Sequence, residues 1–390
     1  MKTEEFKKIA YPETYVNEKK LHDIFTYMRN KYPVTWVEPN QYRPFWAITK
    51  HSDIIEIEKQ NDIFINDPRT TLMDIPTEEA IREFTGGSHL LVRTLVHMDN
   101  PDHQTYRALT QKWFSPPNLE TLKKDIRHIA QEYVEKMVDL GGECDFAKDV
   151  AIFYPLRIIM SILGVPKKDE TRMLRLTQEL FGGGDEDMIR DVEESSPQSN
   201  TITDFFEYFN NLTEERRKNP TNDVASVIAN ATINNEPLGH LEAMSYYTII
   251  ATAGHDTTSS STAGGILAMI QNPDQFLKLK KNPSLMPSAV EETIRWVTPL
   301  KNFFRTATKD YVIKDQKIKK NDSILLCYPS GNRDEDVFDD PFSFKVDRTP
   351  NRHLAFGHGA HLCLGKYLAK IEMEIFYEEL FKKINKIELN

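Results

Sequence analysis

The 390 residues are 39% hydrophobic and 28% charged, with 16 glycines and 21 prolines, proportions that exclude collagen-like, coiled-coil and wholly disordered chains. A chain this long can bury a large core and needs no disulfide or metal staple to fold. With 49 basic against 59 acidic residues the formal charge is −10, which argues against nucleic acid as the main partner, because phosphate binding demands a basic balance.

The opening MKTEEFKKIAYPETY lacks the apolar run of a signal peptide. No stretch approaches the roughly 18 consecutive apolar residues of a membrane span. The sparse, odd set Cys144, Cys327 and Cys363 fits a reducing compartment better than a disulfide framework. A cytoplasmic protein with no membrane partner is expected.

Taken in chain order, two alternating runs at 33–38 and 44–49 flank the turn-rich NQYR and predict a hairpin. Helical periodicity follows over 118–141, 150–163, 167–181, 201–217 and 239–272. Short strands return at 311–314, 317–320 and 323–329, and a helix over 365–385 ends the chain. The class is mostly α with small β-sheets. No repeat and no Gly/Ser- or Pro-rich linker divides the chain, so 1–390 reads as one domain. Residues 69–96 and the Gly-rich, then acidic 182–200 are long connections, the kind that serve as lids.

The densest unusual segment is Phe356-Gly-His-Gly-Ala-His-Leu-Cys-Leu-Gly365. Its glycines mean a sharply turning backbone that admits close approach of something bulky. Cys363 stands just before an amphipathic helix, whose amide end favours a thiolate. Four readings of these residues compete. They are a zinc site of His358, His361 and Cys363, a cysteine nucleophile with His361 as base, an inert thiol, and an axial thiolate on haem iron.

The segment resembles the haem-binding loop of the cytochrome P450 family, Phe-x-x-Gly-x-(His/Arg)-x-Cys-x-Gly, and matches it at every defined position. The resemblance implies the P450 fold, with haem b (iron protoporphyrin IX) between the 239–272 helix and the cysteine loop. Cys363 would be the iron ligand, with Phe356 packed beside the thiolate. Gly357 and Gly365 would admit the porphyrin, and His361 would contact a haem propionate.

Other segments carry the same resemblance. Glu292 and Arg295 share a helix face and precede the cysteine by about seventy residues, as does the family's structural Glu-x-x-Arg pair; Arg348, or its rival Arg352, would complete it. Asn332-Arg333-Asp334 and Phe342-x-Phe344 resemble the connecting region. Ala253-Gly-His-Asp-Thr-Thr258 lies amid apolar residues although Thr, Asp and Gly are poor helix-interior residues. A local widening there would expose a carbonyl and turn an acid and a hydroxyl inward. It resembles the oxygen-activation motif, so Asp256 and Thr257 are the expected acid–alcohol pair and Ala253 the residue against the haem. His103 and Arg107, one turn apart, and Arg305 resemble propionate contacts of the family.

The resemblance implies a monooxygenase that inserts one atom of O2 into a C–H bond of a lipophilic small molecule, terpenoid, steroid or fatty-acid-like. Ile249, Ala253, Leu300 and Phe303 would line the pocket, and Glu78, Glu79 or Lys301 would anchor a polar end of the substrate. Electrons would come from a separate ferredoxin- or flavodoxin-type donor with its reductase. Two alternatives are a peroxide-driven peroxygenase and a non-catalytic haem-binding sensor or carrier. The family's terminal β-hairpin is expected to be missing, because only 27 residues follow Cys363. Cys144 and Cys327 are expected as core or near-surface thiols, and His353 and His358 as loop-packing residues.

Overall fold

The computed structural model describes residues 3–181 and 201–390. Backbone packing groups the chain into two compact units, each discontinuous in sequence: Met1–His103 with Glu291–Cys363, and Gln104–Val290 with Leu364–Asn390. The architecture is mostly helical with small sheets, the class expected from the sequence.

The first unit is built on a five-stranded sheet. Val34–Val37 pairs antiparallel with Phe45–Ile48 in the predicted hairpin, Val34 opposite Ile48. Phe45–Ile48 then runs parallel to Ser323–Cys327, Trp46 opposite Ile324. Asn302–Ala307 and Phe64–Ile65 continue the sheet antiparallel. Alternate residues of these strands feed two apolar clusters, one holding Phe45, Ala47, Phe304, Leu325 and Cys327, the other Ile48, Phe64, Ile324 and Leu326. Helix Glu18–Lys31 packs on the first cluster through Leu21, Ile24, Phe25 and Met28, a 3.6-period stripe. Asn17 caps that helix by accepting from the Lys20 amide at 3.0 Å.

The second unit is a helical assembly. Pro116–Asp139 starts with proline in its first turn, where a missing N–H is harmless. Helix His240–Ala253 is buried almost all round, from Ala243 through Thr252, which marks it as an interior helix of this unit. Phe209 stacks on Tyr247 at 4.6 Å, and the terminal helix Lys366–Lys383 buries Met373, Phe376, Tyr377 and Leu380.

Several boundaries differ from the sequence reading. The stretch 239–272 is two helices, His240–Ala253 and Asp256–Gln271, broken at Gly254-His255. The connection 69–96 contains a helix, Ile75–Phe84, capped by Asp74 through the Thr77 amide at 2.8 Å. It shows no buried residue, so its weak apolar pattern hid it. Residues 150–163 begin inside a π-helical turn, Ala147–Ala151, before Phe153–Ile162. Helices Glu18–Lys31 and His51–Glu58 had no place in the sequence reading, and of Pro273–Lys281 only the lysine-rich end at 278–282 was read as helical. The lid candidate 182–200 lies outside the described residues.

Candidate active site

The cysteine loop is held by its own backbone. The Gly357 amide donates to Leu354 O at 2.8 Å, Leu362 to Gly359 O at 3.2 Å, and Cys363 to Phe356 O at 2.9 Å. Gly357 and Gly359 have φ of +68° and +70°, the left-handed region that glycine enters without strain. At Gly359 a Cβ would also lie 2.2 Å from Glu58 O, so the loop touches the end of helix His51–Glu58. The result is an exposed Cys363 on a backbone that has little freedom. Phe356 is half-buried beside His353, ring centroids 5.7 Å apart. Gly365 precedes the terminal helix, and a Cβ there would meet nothing within 4 Å. Among the described residues no group of three or more His, Cys, Asp or Glu is placed to hold a metal ion, so His358, His361 and Cys363 form no zinc site.

In the same unit lies a saturated charge cluster. Glu292 and Arg295 are both fully buried. Glu292 accepts from Arg295 Nε at 2.7 Å and Nη2 at 2.8 Å, and from Arg348 Nε at 2.9 Å. The Lys345 amide and Asn351 Nδ2 add bonds at 2.9 and 3.1 Å. Arg295 also donates to the carbonyls of Asn332, Pro341 and Ser343. Arg348, not the exposed Arg352, is the third member. Asn332, through its side-chain oxygen, takes the Leu354 amide at 2.6 Å, tying this cluster to the start of the cysteine loop. The spacing three apart on one helix, with no water to compete, makes the cluster a clamp on the connecting segment.

Two histidines far apart in sequence meet in this unit. The rings of His103 and His361 lie 3.8 Å apart, tilted by 31°. His361 Nε2 is 2.7 Å from Asn66 Nδ2, and Asn66 is fixed by Asp99 Oδ1 through both its backbone and its side-chain nitrogen. Because the Asn66 amide nitrogen donates, His361 Nε2 accepts and its Nδ1 carries the proton. Buried Arg305 donates through Nη1 to Phe304 O at 2.7 Å and reaches Glu58 Oε1 only at 3.4 Å. Arg107 is half-buried, one turn after His103 on helix Asp102–Gln111.

The broken helix pair of the second unit answers differently to its polar content. Thr248, Thr252, Thr257, Ser259, Ser261 and Thr262 each donate to the carbonyl four residues back. This back-bonding is how hydroxyl residues survive in a buried helix. Thr257 Oγ1 lies 2.9 Å from Ala253 O, across the break. Gly254 is closely packed: a Cβ would come within 2.9 Å of Ile159 Cδ1, which would have to shift. Ile249, Ala253 and Thr257 fall four apart on one face and are half-buried, exposed and half-buried, while Thr248, Ile250, Thr252 and Thr258 beside them are buried. Buried His255 has Nε2 2.7 Å from Ile152 O, so that nitrogen holds its proton, and Nδ1 faces Asp256 Oδ1 at 3.3 Å. Burial lowers the pKa of His255 and raises that of Asp256. Asp256 therefore holds a proton more readily than an ordinary aspartate and lies beside His255, with its side chain still partly open to solvent.

Leu300 and Phe303 are half-buried against the second apolar cluster of the sheet. Lys301 is engaged elsewhere, donating to Val297 O and Thr298 O at the end of helix Met286–Val297. Glu78 pairs with Arg43 at 2.6 Å and Arg69 at 3.3 Å, and Glu79 approaches Arg43 at 3.9 Å. Cys327 is buried and Cys144 half-buried. His353 bonds Glu291 at 2.9 Å. The His358 side chain is shifted to lower pKa by burial and by Lys59. Sequence reasoning missed Asn66, Asp99, His255 and Glu58 as members of these networks. Only His255 carried a signal, an ionisable residue inside an apolar helix.

The cytochrome P450 family model matches residues 11–385. The chain is 42% identical to cytochrome P450-terp from a Pseudomonas species over 98% of its own length and 91% of that protein. It is 31% identical to linalool 8-monooxygenase from Pseudomonas putida, over 94% and 90%. The crystal structure of CYP108D1 from Novosphingobium aromaticivorans superposes with a TM-score of 0.90 at 42% identity, covering 97% of this chain and 90% of that one. No described helix is long and apolar enough to cross a membrane. With that loop, that charge cluster and that broken helix matched along nearly its whole length, the chain belongs to the cytochrome P450 family, the haem-containing oxidoreductases that act as monooxygenases.

Proposed function

We propose that the protein hydroxylates a lipophilic small molecule of terpenoid, steroid or fatty-acid-like type, using O2 and electrons from a separate ferredoxin- or flavodoxin-type donor. The observation that carries this reading is the exposed Cys363 on a loop whose neighbouring amides are already spent on backbone carbonyls. Residues fit for haem b are present: a thiol for the iron, and Arg305, His103, Arg107 and His361 as donors for propionates. Arg305 supports this fit, being buried with one good hydrogen bond and one long one, so guanidinium donors remain for an anion. Ala253, exposed at the end of a helix buried over most of Ala243 to Thr252, supplies an open apolar face.

Bound haem supplies dioxygen binding and one-electron chemistry, with one oxygen atom entering the substrate and the other leaving as water. Cys363, as thiolate, would donate electron density to the iron. Phe356 would pack beside that sulfur, and Gly357 and Gly365 would leave room for a flat macrocycle. Asp256, whose pKa is raised by partial burial and which faces His255, would take up and release a proton at its carboxyl. The Thr257 hydroxyl, resting on Ala253 O, can turn to order a water that receives that proton. The apolar face of Ile249 and Ala253 would exclude bulk water and favour an apolar substrate. The similarity to linalool 8-monooxygenase supports the substrate class.

Purified protein, reduced and exposed to carbon monoxide, is expected to show the strongly red-shifted Soret band of thiolate-ligated haem. Cys363→Ser is expected to abolish it. A normal band in that variant would remove Cys363 from the iron. Product that forms with peroxide alone, and not with NAD(P)H and redox proteins, would replace the monooxygenase reading with a peroxygenase.

A further inference from the structure

Helix His51–Glu58 ends against the cysteine loop, and the contact is tight. The Glu58 carbonyl leaves no room for a side chain at Gly359, and Glu58 Oε1 lies 3.3 Å from where a Cβ would stand on Gly357. The Glu58 side chain is only 1% exposed. Oε1 accepts from Tyr328 Oη at 2.8 Å and lies 3.4 Å from Arg305 Nη2. Oε2 makes no hydrogen bond among the described residues. A buried carboxylate in a purely structural role is saturated, as Glu292 is with five donors. Glu58 has one good donor in Tyr328, weaker approaches from Arg305 and the His358 amide, and an Oε2 with no hydrogen bond, an arrangement better suited to a carboxylic acid that gains and loses a proton.

We propose that Glu58 is a titrating positioning residue that sets how much of the Arg305 charge is available to the haem carboxylate, and so makes the reduction potential of the haem depend on pH. The proposal rests on the reading of Arg305 as a propionate contact. Every element packed on Glu58 brings a group that bears on its charge: Arg305 from strand Asn302–Ala307, Tyr328 from the turn after Ser323–Cys327, the backbone amide of His358 from the loop, and, next to it on its own helix end, Lys59. Burial outweighs the pull of Arg305, Tyr328 and the His358 amide and raises the Glu58 pKa to about 7. A second anion on Arg305 moves it further up.

The sign follows from charge. Ionised Glu58 shares the Arg305 charge and leaves the haem carboxylate less compensated. Protonated Glu58 releases the full guanidinium charge to it. One-electron reduction adds negative charge to the centre and is favoured when Glu58 is protonated. The electron comes from the donor protein or an electrode, and the proton comes from solvent and rests on the Glu58 carboxyl. The midpoint potential therefore falls as pH rises through the neutral range.

The test is spectroelectrochemical titration of the haem-loaded protein across that range, with haem transfer to apomyoglobin measured in parallel. Wild type is expected to show the falling potential, and Glu58→Gln, locked neutral, a flat profile at the high-potential level. Tyr328→Phe removes a hydrogen bond that favours the ionised acid and is expected to move the inflection to higher pH. A flat wild-type profile, or a slope that survives in Glu58→Gln, overturns the proposal. Arg305→Gln separates the two layers: it is expected to speed haem loss several-fold, and an unchanged rate would instead overturn the propionate role of Arg305.

Discussion

Glu292 is fully buried and Thr257 half-buried, and the two satisfy their polar groups in different ways. Glu292 reaches across the chain, taking hydrogen bonds from Arg295, Lys345, Arg348 and Asn351 and binding a helix to the connecting segment that leads into the cysteine loop. Thr257 and the hydroxyls around it turn back on their own helix and ask nothing of other elements. The first arrangement makes position rigid, because every bond constrains two segments. The second leaves one helix face, Ile249, Ala253 and Thr257, uncommitted. A haem protein of this family needs both: a fixed ligand loop, and a face with polar groups that can be re-aimed.

The contrast is broken most severely by Glu292→Ala. It strands Arg295 and Arg348 without their shared carboxylate, and removing one partner of a buried pair costs roughly 3–5 kcal/mol. Against a typical total of about 5–15 kcal/mol, the variant is expected to melt at much lower temperature and to purify with little haem. Normal haem stoichiometry and melting temperature would show that the cluster does not hold the loop.

A smaller effect is expected from Gly254→Ala. The new methyl would sit 2.9 Å from Ile159 Cδ1 and 3.0 Å from Ile250 O, with backbone on one side. Overpacking of this kind costs about 1–3 kcal/mol. Thermal unfolding checks it. A variant as stable as wild type would mean that helix Phe153–Ile162 gives way, and that the break at Gly254-His255 is set by His255 and its bond to Ile152 O.

What was legible in the sequence follows the same division. Phe356 to Gly365 could be read because thiolate, glycines and histidine must be near neighbours to shape one loop. Glu292 and Arg295 could be read because a helix brings residues three apart together. The third partner was narrowed to Arg348 with Arg352 as its rival, and only the fold, which buries one and exposes the other, decides between them. Likewise Asn66 meets His361 and Glu58 meets Arg305 across 295 and 247 residues, through strand pairing that no local pattern announces. The broken helix was half visible. Poor helix formers at 253–258 signalled a disturbance, but the close approach of Ile159 to Gly254 is a tertiary fact.

The smallest change in stability belongs to Thr257→Ala, and that makes it the sharpest probe of the second arrangement. The hydroxyl bond to Ala253 O is lost, worth about 0.5–1.5 kcal/mol, but alanine returns roughly half a kcal/mol or more in helix propensity. Fold, haem content and substrate affinity are expected to stay near wild type. What changes is proton delivery. Without the hydroxyl, no side chain at this position orders the water that takes a proton from Asp256, so reducing equivalents are expected to leave as hydrogen peroxide instead of product. Asp256→Asn keeps the hydroxyl and removes the acid, so it is expected to slow the whole cycle and raise the solvent isotope effect, since positioned acid–base groups typically contribute ~100–10,000-fold. The two variants therefore separate by readout: product per NAD(P)H falls in Thr257→Ala, while turnover falls in Asp256→Asn. An unchanged product ratio in Thr257→Ala, with peroxide assayed alongside, would show that the open face of this helix positions substrate and takes no part in moving protons.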